Sequence, residues 1–362
     1  MTPTTPASLT LRDVRVESGG DRLLSEIGLE ILPGELVVVL GAGGAGKTIL
    51  LRCIIGLQQL SAGAVLIDDR DITHRPVQQR DIVLMQQDYP LWPAYSVKRN
   101  VTLPLRHRGI DRKTRAALAE SMLAALGLEE FQAHLPGQLN ASRRQRVALA
   151  RTLALQAPIT LLDEPFADQG PQMRDQLLAY LRHHHDRQSG ITMVATEDPG
   201  TAMRLADRIA VMTDGMIDQF DTPQVVYDRP DSRRVASSLG RVNLLPGEIE
   251  YAGEQPLFRS ASGLVLPLFD HRLKRARQGW AMFRPHHVRL LDPNDPPFGE
   301  LIRLNGFVTQ VEFDGPTLHY AVEVARSQVW ASLARADGTA LPEVGDTLAL
   351  GIDPAQVLIL ER

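Results

Sequence analysis

Two short stretches hold residue types that can do chemistry together. The first is GAGGAGKT, residues 41–48, in which Gly41, Gly46, Lys47 and Thr48 stand at the spacing Gly-x4-Gly-Lys-Thr. Glycines let the backbone bend so that several N–H groups converge on a phosphate chain, and a helix N-terminus behind them adds partial positive charge. Lys47 is placed to reach the β- and γ-phosphates and the Thr48 hydroxyl to bind Mg²⁺. Gly43, Gly44, Ala45 and Ile49 complete the cradle. The second stretch is the pair Asp163-Glu164, which ends the apolar run ITLLD. Asp163 suits the Mg²⁺ shell, and Glu164 suits orienting or deprotonating an attacking water. An acidic pair at a strand end is more often merely solvated, but beside a phosphate loop it supplies the hydrolytic half of a nucleotide site. The nucleotide is ATP or GTP with Mg²⁺, and the absence of an Asn-Lys-x-Asp guanine reader favours ATP.

The elements around these residues have the order such a site needs. Leu36 to Leu40 are continuously apolar and rich in β-branched residues, the pattern of a strand buried on both faces, and the apolar helix ILLRCIIGL follows the glycine loop. LTLRDVRV, LLSEIGLEI and AVLIDDRDI read as further strands, and residues 95–155 turn helical. There RKTRAALAESMLAALGL keeps Leu118, Met122, Leu123 and Leu126 on one face, with Gly127 in a C-cap position. ITLLD (159–163) and ITMVATE (191–197) are two buried strands separated by the helix QMRDQLLAYLRHHH, an alternation that predicts a doubly wound α/β core. RIAVMT and MIDQF flank Asp214-Gly215 as a hairpin. From about 240 onward short alternating strands dominate, with turns expected at Asp314-Gly315 and Asp337-Gly338, and FVTQVEF and HYAVEV read as an antiparallel pair. The expected organisation is therefore an α/β nucleotide-binding domain over 1–238 and an all-β domain over 239–362.

Composition narrows the partners. A net charge of −4 gives no basic footprint, which argues against nucleic acid, so an anionic ligand must be held by a local site. MTPTTPASLT has neither the basic nor the apolar region of a secretory signal, and no run of about 18 apolar residues could span a membrane. The single cysteine, Cys53, lies among Leu51, Ile54 and Ile55 and reads as a buried structural thiol.

With these motifs in place, the chain resembles the ATP-binding-cassette (ABC) subunits of bacterial importers over nearly its whole length. MQQDYPLWPAYSV puts Gln87 at the family's Mg²⁺-binding, permease-sensing glutamine. DEPFADQG follows the strand that ends in Asp163, and VNLLPGEI, FRPHHVRLL and VGDTLALGIDPAQVLIL resemble the family's oligosaccharide-binding-type (TOBE) regulatory domain. The resemblance implies a P-loop NTPase with a RecA-like core carrying antiparallel β and helical subdomains, followed by the OB-like domain. It also implies a second cassette, identical or different, that shares two ATP molecules; membrane permease subunits; an indirect link to a substrate-binding protein; and a peripheral position on the cytoplasmic face of the inner membrane. The cargo is left open among sugars, polyamines, ferric iron, sulfate and phosphonates.

Several positions depart from the family pattern. Where the family signature reads Leu-Ser-Gly-Gly-Gln, this chain has Leu139, Asn140, Ala141, Ser142 and Arg143. Side chains on Ala141 and Ser142 are expected to obstruct backbone N–H groups from approaching a phosphate. Glu197 replaces the switch histidine, Gly170 the D-loop aspartate, and Ser18 the aromatic that stacks on adenine. Glu197 and Glu164 about 4 Å apart would repel by roughly 4 kcal/mol at an effective dielectric of 20. Residues that grip phosphate and metal are kept while those assembling the composite site are changed. That division predicts a subunit that binds MgATP and turns it over slowly, with a nucleotide-binding regulatory or scaffold subunit as the alternative.

Three further features carry less weight. His183, His184 and His185 are expected at a solvated helix end, KRARQG (274–279) in a solvated loop, and Tyr89 and Trp92 at the permease groove or in ordinary packing.

Overall fold

The computed structural model describes residues 7–251, 256–268, 277–291, 301–335 and 341–361. The chain divides into two compact units between Val226 and Tyr227, upstream of the change in composition at 238. The segment between belongs with the second unit because Arg284, 2% exposed, donates to the carbonyls of Ala236 and Tyr227 at 3.0 and 3.3 Å.

In the first unit, β1 (Leu9–Ser18) and β2 (Asp21–Ile31) form an antiparallel pair. They are followed by β3 (Leu36–Leu40), α1 (Lys47–Ile55), β4 (Ala62–Ile67), β5 (Arg70–Asp71) and β6 (Ile82–Met85). Three helices come next, α2 (Val97–His107), α3 (Arg112–Ala125) and α4 (Ala141–Leu153), within the stretch expected to be helical. The chain then alternates through β7 (Ile159–Asp163), α5 (Pro171–Asp186), β8 (Ile191–Thr196), α6 (Pro199–Leu205), β9 (Arg208–Thr213) and β10 (Met216–Asp221). The strands make a small antiparallel sheet, β2-β1-β4-β5, and a six-stranded sheet, β10-β9-β3-β8-β7-β6, parallel except for β10.

One apolar core joins the two sheets around α1. Leu50, Leu51 and Ile54 of the helix meet Leu9, Val14 and Ile27 from one sheet and Val37, Val39, Leu161 and Met193 from the other. Each such side chain contributes roughly 1.5–3 kcal/mol by leaving water. Cys53 belongs to this core, 1% exposed, and burial pushes its thiol up to about 12. α3 ends as expected: Gly127 has φ 63, its N–H donates to Ala124, and that of Leu128 to Leu123 at 2.7 Å.

The second unit opens with a short helix, α7 (Arg233–Ser238), and is otherwise built of strands. β11 (Asn243–Glu250), β12 (Leu257–Ser260), β13 (Val265–Pro267), β14 (Gln278–Phe283), β15 (Val288–Leu291), β16 (Ile302–Asp314), β17 (Thr317–Val324), β18 (Ser327–Ala334), β19 (Thr347–Ile352) and β20 (Leu358–Leu360) form two five-stranded sheets, β13-β12-β11-β14-β20 and β15-β19-β16-β17-β18. Phe258 and Phe283 of one sheet share a core with Leu304, Tyr320 and Val322 of the other. FVTQVEF and HYAVEV pair as expected, but Asp314 pairs with Thr317, so the loop is Gly315-Pro316 rather than Asp314-Gly315. With φ 59 at Gly315, glycine takes the first central position of the turn and proline the second. Asp337-Gly338 lies outside the described residues, as do 274–276 of the KRARQG run.

Candidate nucleotide site

The parallel registers bring three loops to one edge of the central sheet. Leu40 pairs with Thr196 and Asp163 with Ala195, so the residues that follow β3, β7 and β8 emerge side by side at the C-terminal ends of the strands, where open α/β sheets bind ligands. Gly41 N–H donates to Thr196 O and Glu164 N–H to Ala195 O, tying the loops together.

The glycine loop is held from below. Gly41 has no room for a Cβ, which would lie 2.3 Å from Met212 O, and Gly46, at φ 103, sits against Met212 and Leu24. The Asp214-Gly215 turn does more than reverse the chain: Gly215 N–H donates to Ala45 O at 3.0 Å. Gly43 and Gly44 remain exposed while Ala45, Gly46 and Lys47 are buried, and Thr48 and Ile49 are half-buried. Lys47, 6% exposed, donates from Nζ to the carbonyls of Gly41 and Ala42 at 2.7 and 3.1 Å. Its ammonium also faces Glu197 Oε1 at 3.5 Å and Glu164 Oε1 at 3.7 Å.

Glu164 stands at φ 46, and its Oε2 accepts from the Thr196 hydroxyl at 3.2 Å. Burial pushes its carboxyl above the usual carboxylate range, Lys47 and Thr196 pull it back, and the charges of Glu197 and Asp163 push it further up. Asp163 is likewise raised by burial, against a hydrogen bond from Thr48 and the nearby charges of Lys47 and Arg52. Asp163 Oδ1 and Glu164 Oε1 are both buried without a hydrogen-bond partner. Buried carboxylate oxygens left this way suit a hard cation or a polarised water. The expected bare repulsion between Glu164 and Glu197 is thus altered by the fold, because Lys47 faces both carboxylates.

The segment in place of the family signature is used inside its own unit. Asn140 is the N-cap of α4, its Oδ1 accepting from Arg143 N–H at 2.9 Å. The Arg143 guanidinium lies 4.1 Å over the Phe131 ring, and Ala141 is the first residue of the helix. Ser142 Oγ donates to Gln169 Oε1 at 2.7 Å, and Gln169 Nε2 donates to Ser142 O and to Gln145 Oε1 at 3.0 and 2.8 Å. Gln145 Nε2 in turn donates to Glu164 O at 3.1 Å. This network of 1–4% exposed glutamines was not anticipated from the sequence. Neither was Arg80, whose guanidinium donates to Thr73, Arg75, Cys53 and Ile54 carbonyls at 2.6 to 3.2 Å and so caps the far end of α1.

Other expected site residues have other surroundings. Gln87 is exposed and lines a cleft of about 440 Å³ with Asp88, Tyr89, Gln145 and Asp168. Its side chain makes no hydrogen bond to Thr48 or Asp163 among the described residues. Tyr89, bonded to Asp168, lies in that cleft, whereas Trp92 lines a separate groove with Leu84, Leu91, Pro104 and Arg151. Buried Asn100 shapes the Trp92 loop through bonds to Trp92, Tyr95 and Ser96. Ser18 is exposed at the end of β1, beside the Gly19-Gly20 turn. Gly170 caps α5.

The histidine run is not a solvated helix end. His185 is 3% exposed and bonds Thr192 Oγ1 at 2.9 Å and Gly34 O at 3.0 Å, while His184 stacks on Tyr180. The last turn of α5 packs on β8 and the loop before β3, leaving only His183 exposed. No group of three or more metal-binding side chains occurs among the described residues.

Comparison with known proteins agrees with this geometry. Residues 24–167 match the family described as ABC transporter and residues 281–360 the TOBE domain. The chain is 36% identical to a sulfate/thiosulfate import ATP-binding protein of Rhizobium meliloti, over 87% of this chain and 90% of that one. It is 32% identical to an Fe(3+) ions import ATP-binding protein of Escherichia coli strain K12, over 97% of each. A solved dimeric ATP-binding cassette in a post-hydrolysis state, bound to ADP and Pi, superposes with a TM-score of 0.56 at 27% identity, covering 59% of this chain and 98% of that one. Among the described residues, no helix is long and apolar enough to cross a membrane.

Proposed function

The chain belongs to the ATP-binding subunits of ABC importers, and from that membership we propose how its own residues work. It binds ATP with Mg²⁺ on residues 41–49, pairs with a second cassette, and drives permease subunits from the cytoplasmic face of the inner membrane; a substrate-binding protein is linked to it only indirectly, through those permease subunits. The observation that carries this reading is the pair of buried oxygens that accept no hydrogen bond, Asp163 Oδ1 and Glu164 Oε1, beside an ammonium held by the loop's own carbonyls.

Thr48, Asp163 and Gln87 are the residues that would hold Mg²⁺, which supplies charge neutralisation to the phosphates when bound. Lys47 receives the terminal phosphates. Glu164 takes the proton of the attacking water, and its raised pKa makes it a better base than an ordinary carboxylate. Thr196 and the Gln145 bond to Glu164 O hold that carboxylate in place.

Turnover is slow because the composite half of the site is spent elsewhere. Asn140 caps its helix, Ser142 bonds Gln169, and Glu197 brings negative charge to Lys47 where a histidine would donate. The two named relatives import different cargo at similar identity, which fits a cassette that energises transport without choosing what is carried. Phosphate release by the purified chain tests the assignment, with Lys47→Ala and Glu164→Gln as controls. The reading requires ATP binding that Lys47→Ala abolishes and a low turnover that Glu164→Gln removes. Turnover surviving both substitutions would refute it.

A further inference from the structure

Glu197 reaches the glycine loop through Lys47. Nζ of Lys47 is within 3.7 Å of four oxygens: the carbonyls of Gly41 and Ala42 and one carboxylate oxygen each of Glu197 and Glu164. An ammonium has three protons, so an incoming phosphate must displace a carboxylate rather than fill an empty direction. Glu164 is fixed by the Thr196 hydroxyl. Glu197 is the more solvent-exposed partner, its side chain 56% accessible.

The backbone that carries Glu197 is anchored on both sides. Thr196 ends β8 and accepts from Gly41 N–H. Asp198 caps α6, accepting from Gly200 N–H, Thr201 N–H and the Thr201 hydroxyl, while its own N–H donates to Thr196 Oγ1. The carboxylate therefore reaches the loop from a fixed base. It comes so near Gly43 that a Cβ there would lie 3.3 Å from Glu197 Oε1.

We infer that Glu197 is a specificity-determining residue that turns this loop toward nucleoside diphosphates: its carboxylate stands on Lys47 where a terminal phosphate would go. A diphosphate is cradled mainly by the loop's N–H groups and brings one anionic group fewer to the ammonium that Glu197 holds. A triphosphate adds another anionic group at the point Glu197 already occupies, and two anions then compete for one cation. The inference rests on the ATP-binding reading above.

The test is the affinity of the full chain for ADP and for ATP by calorimetry, in EDTA so that neither hydrolysis nor metal enters. Wild type, Glu197→Gln, Glu197→Asp and Lys47→Ala are compared, with thermal unfolding of each variant confirming the fold. Removing one like charge at contact distance is worth roughly tenfold or more. The ratio of ATP to ADP affinity is therefore expected to rise at least about tenfold in Glu197→Gln, mostly through ATP, and to rise less in Glu197→Asp, whose shorter side chain keeps the charge but draws it back from Lys47. An unchanged ratio in Glu197→Gln, with both nucleotides bound and binding lost in Lys47→Ala, overturns this inference and leaves the ATP-binding reading intact. Failure of the wild type to bind either nucleotide in EDTA overturns this inference, and the same failure with Mg²⁺ present overturns the ATP-binding reading as well.

Discussion

Ser142 is the residue most plainly out of place in a signature that is glycine in the family, and the structure gives it a specific partner whose contribution can be measured. Its hydroxyl donates to Gln169 Oε1 at 2.7 Å, and Gln169 makes two further bonds, to Ser142 O at 3.0 Å and Gln145 Oε1 at 2.8 Å. Ser142→Ala deletes one neutral bond and leaves Gln169 Oε1 unsatisfied, a cost of about 1–2 kcal/mol. Gln169→Leu removes three bonds at a 4% exposed position and regains some apolar burial, for a net loss of about 2–3 kcal/mol. In the double variant the serine hydroxyl and its acceptor vanish together, so the loss falls short of the sum by about 1 kcal/mol. Urea unfolding midpoints at constant slope, followed by circular dichroism, give the four values. Strict additivity would mean that the two side chains do not interact, and the account of how this helix N-terminus is built would fail.

Other expectations follow from single positions. At Gly170, φ is −65 and a Cβ meets nothing within 4 Å, so Gly170→Asp should raise stability by about 0.5 kcal/mol as a better helix cap. Gly41→Ala should destabilise severely, since its Cβ would lie 2.3 Å from Met212 O; thermal melts separate the two. Burial pushes His184 down to about 4 from 6.5. It binds its proton more readily unfolded, so its contribution is complete above pH 6.5 and is lost as pH falls toward 4. The loss reaches about 3 kcal/mol, and His184→Gln should flatten acid unfolding over that range. Cys53, with its thiol pushed up to about 12, should resist thiol reagents in the native protein and react at once in urea.

Much of the site was legible because it is local in sequence. The glycine loop, Lys47, Thr48 and Asp163-Glu164 are short motifs flanked by strands whose apolar runs are unbroken, and the alternation of β7, α5 and β8 set the sheet they sit on. The residues that were missed act across the chain. Arg80 caps a helix some 26 residues earlier, and Gln145 and Gln169 meet only because β7 brings α4 and the following turn together. Polar side chains of this sort carry no periodicity, so pattern reading takes them for surface. The histidines show the same failure: three in a row look solvated, yet the last two are turned inward by packing on β8 and by Tyr180. Tyr89 and Trp92, close in sequence, line different clefts, Tyr89 closing one turn on Gln86 and Trp92 opening the next, to Tyr95.

On the proposed function, the altered composite residues, and not the phosphate grip, limit turnover. Steady-state phosphate release should be compared between the wild type and a variant carrying Asn140→Ser, Ala141→Gly, Ser142→Gly, Arg143→Gln and Glu197→His, both at saturating MgATP. Low release is expected from the wild type and an increase of at least about tenfold in the variant, equivalent to roughly 1.4 kcal/mol of barrier, with ATP binding Lys47-dependent in both. Rapid release by the wild type, with no gain in the variant, would contradict it.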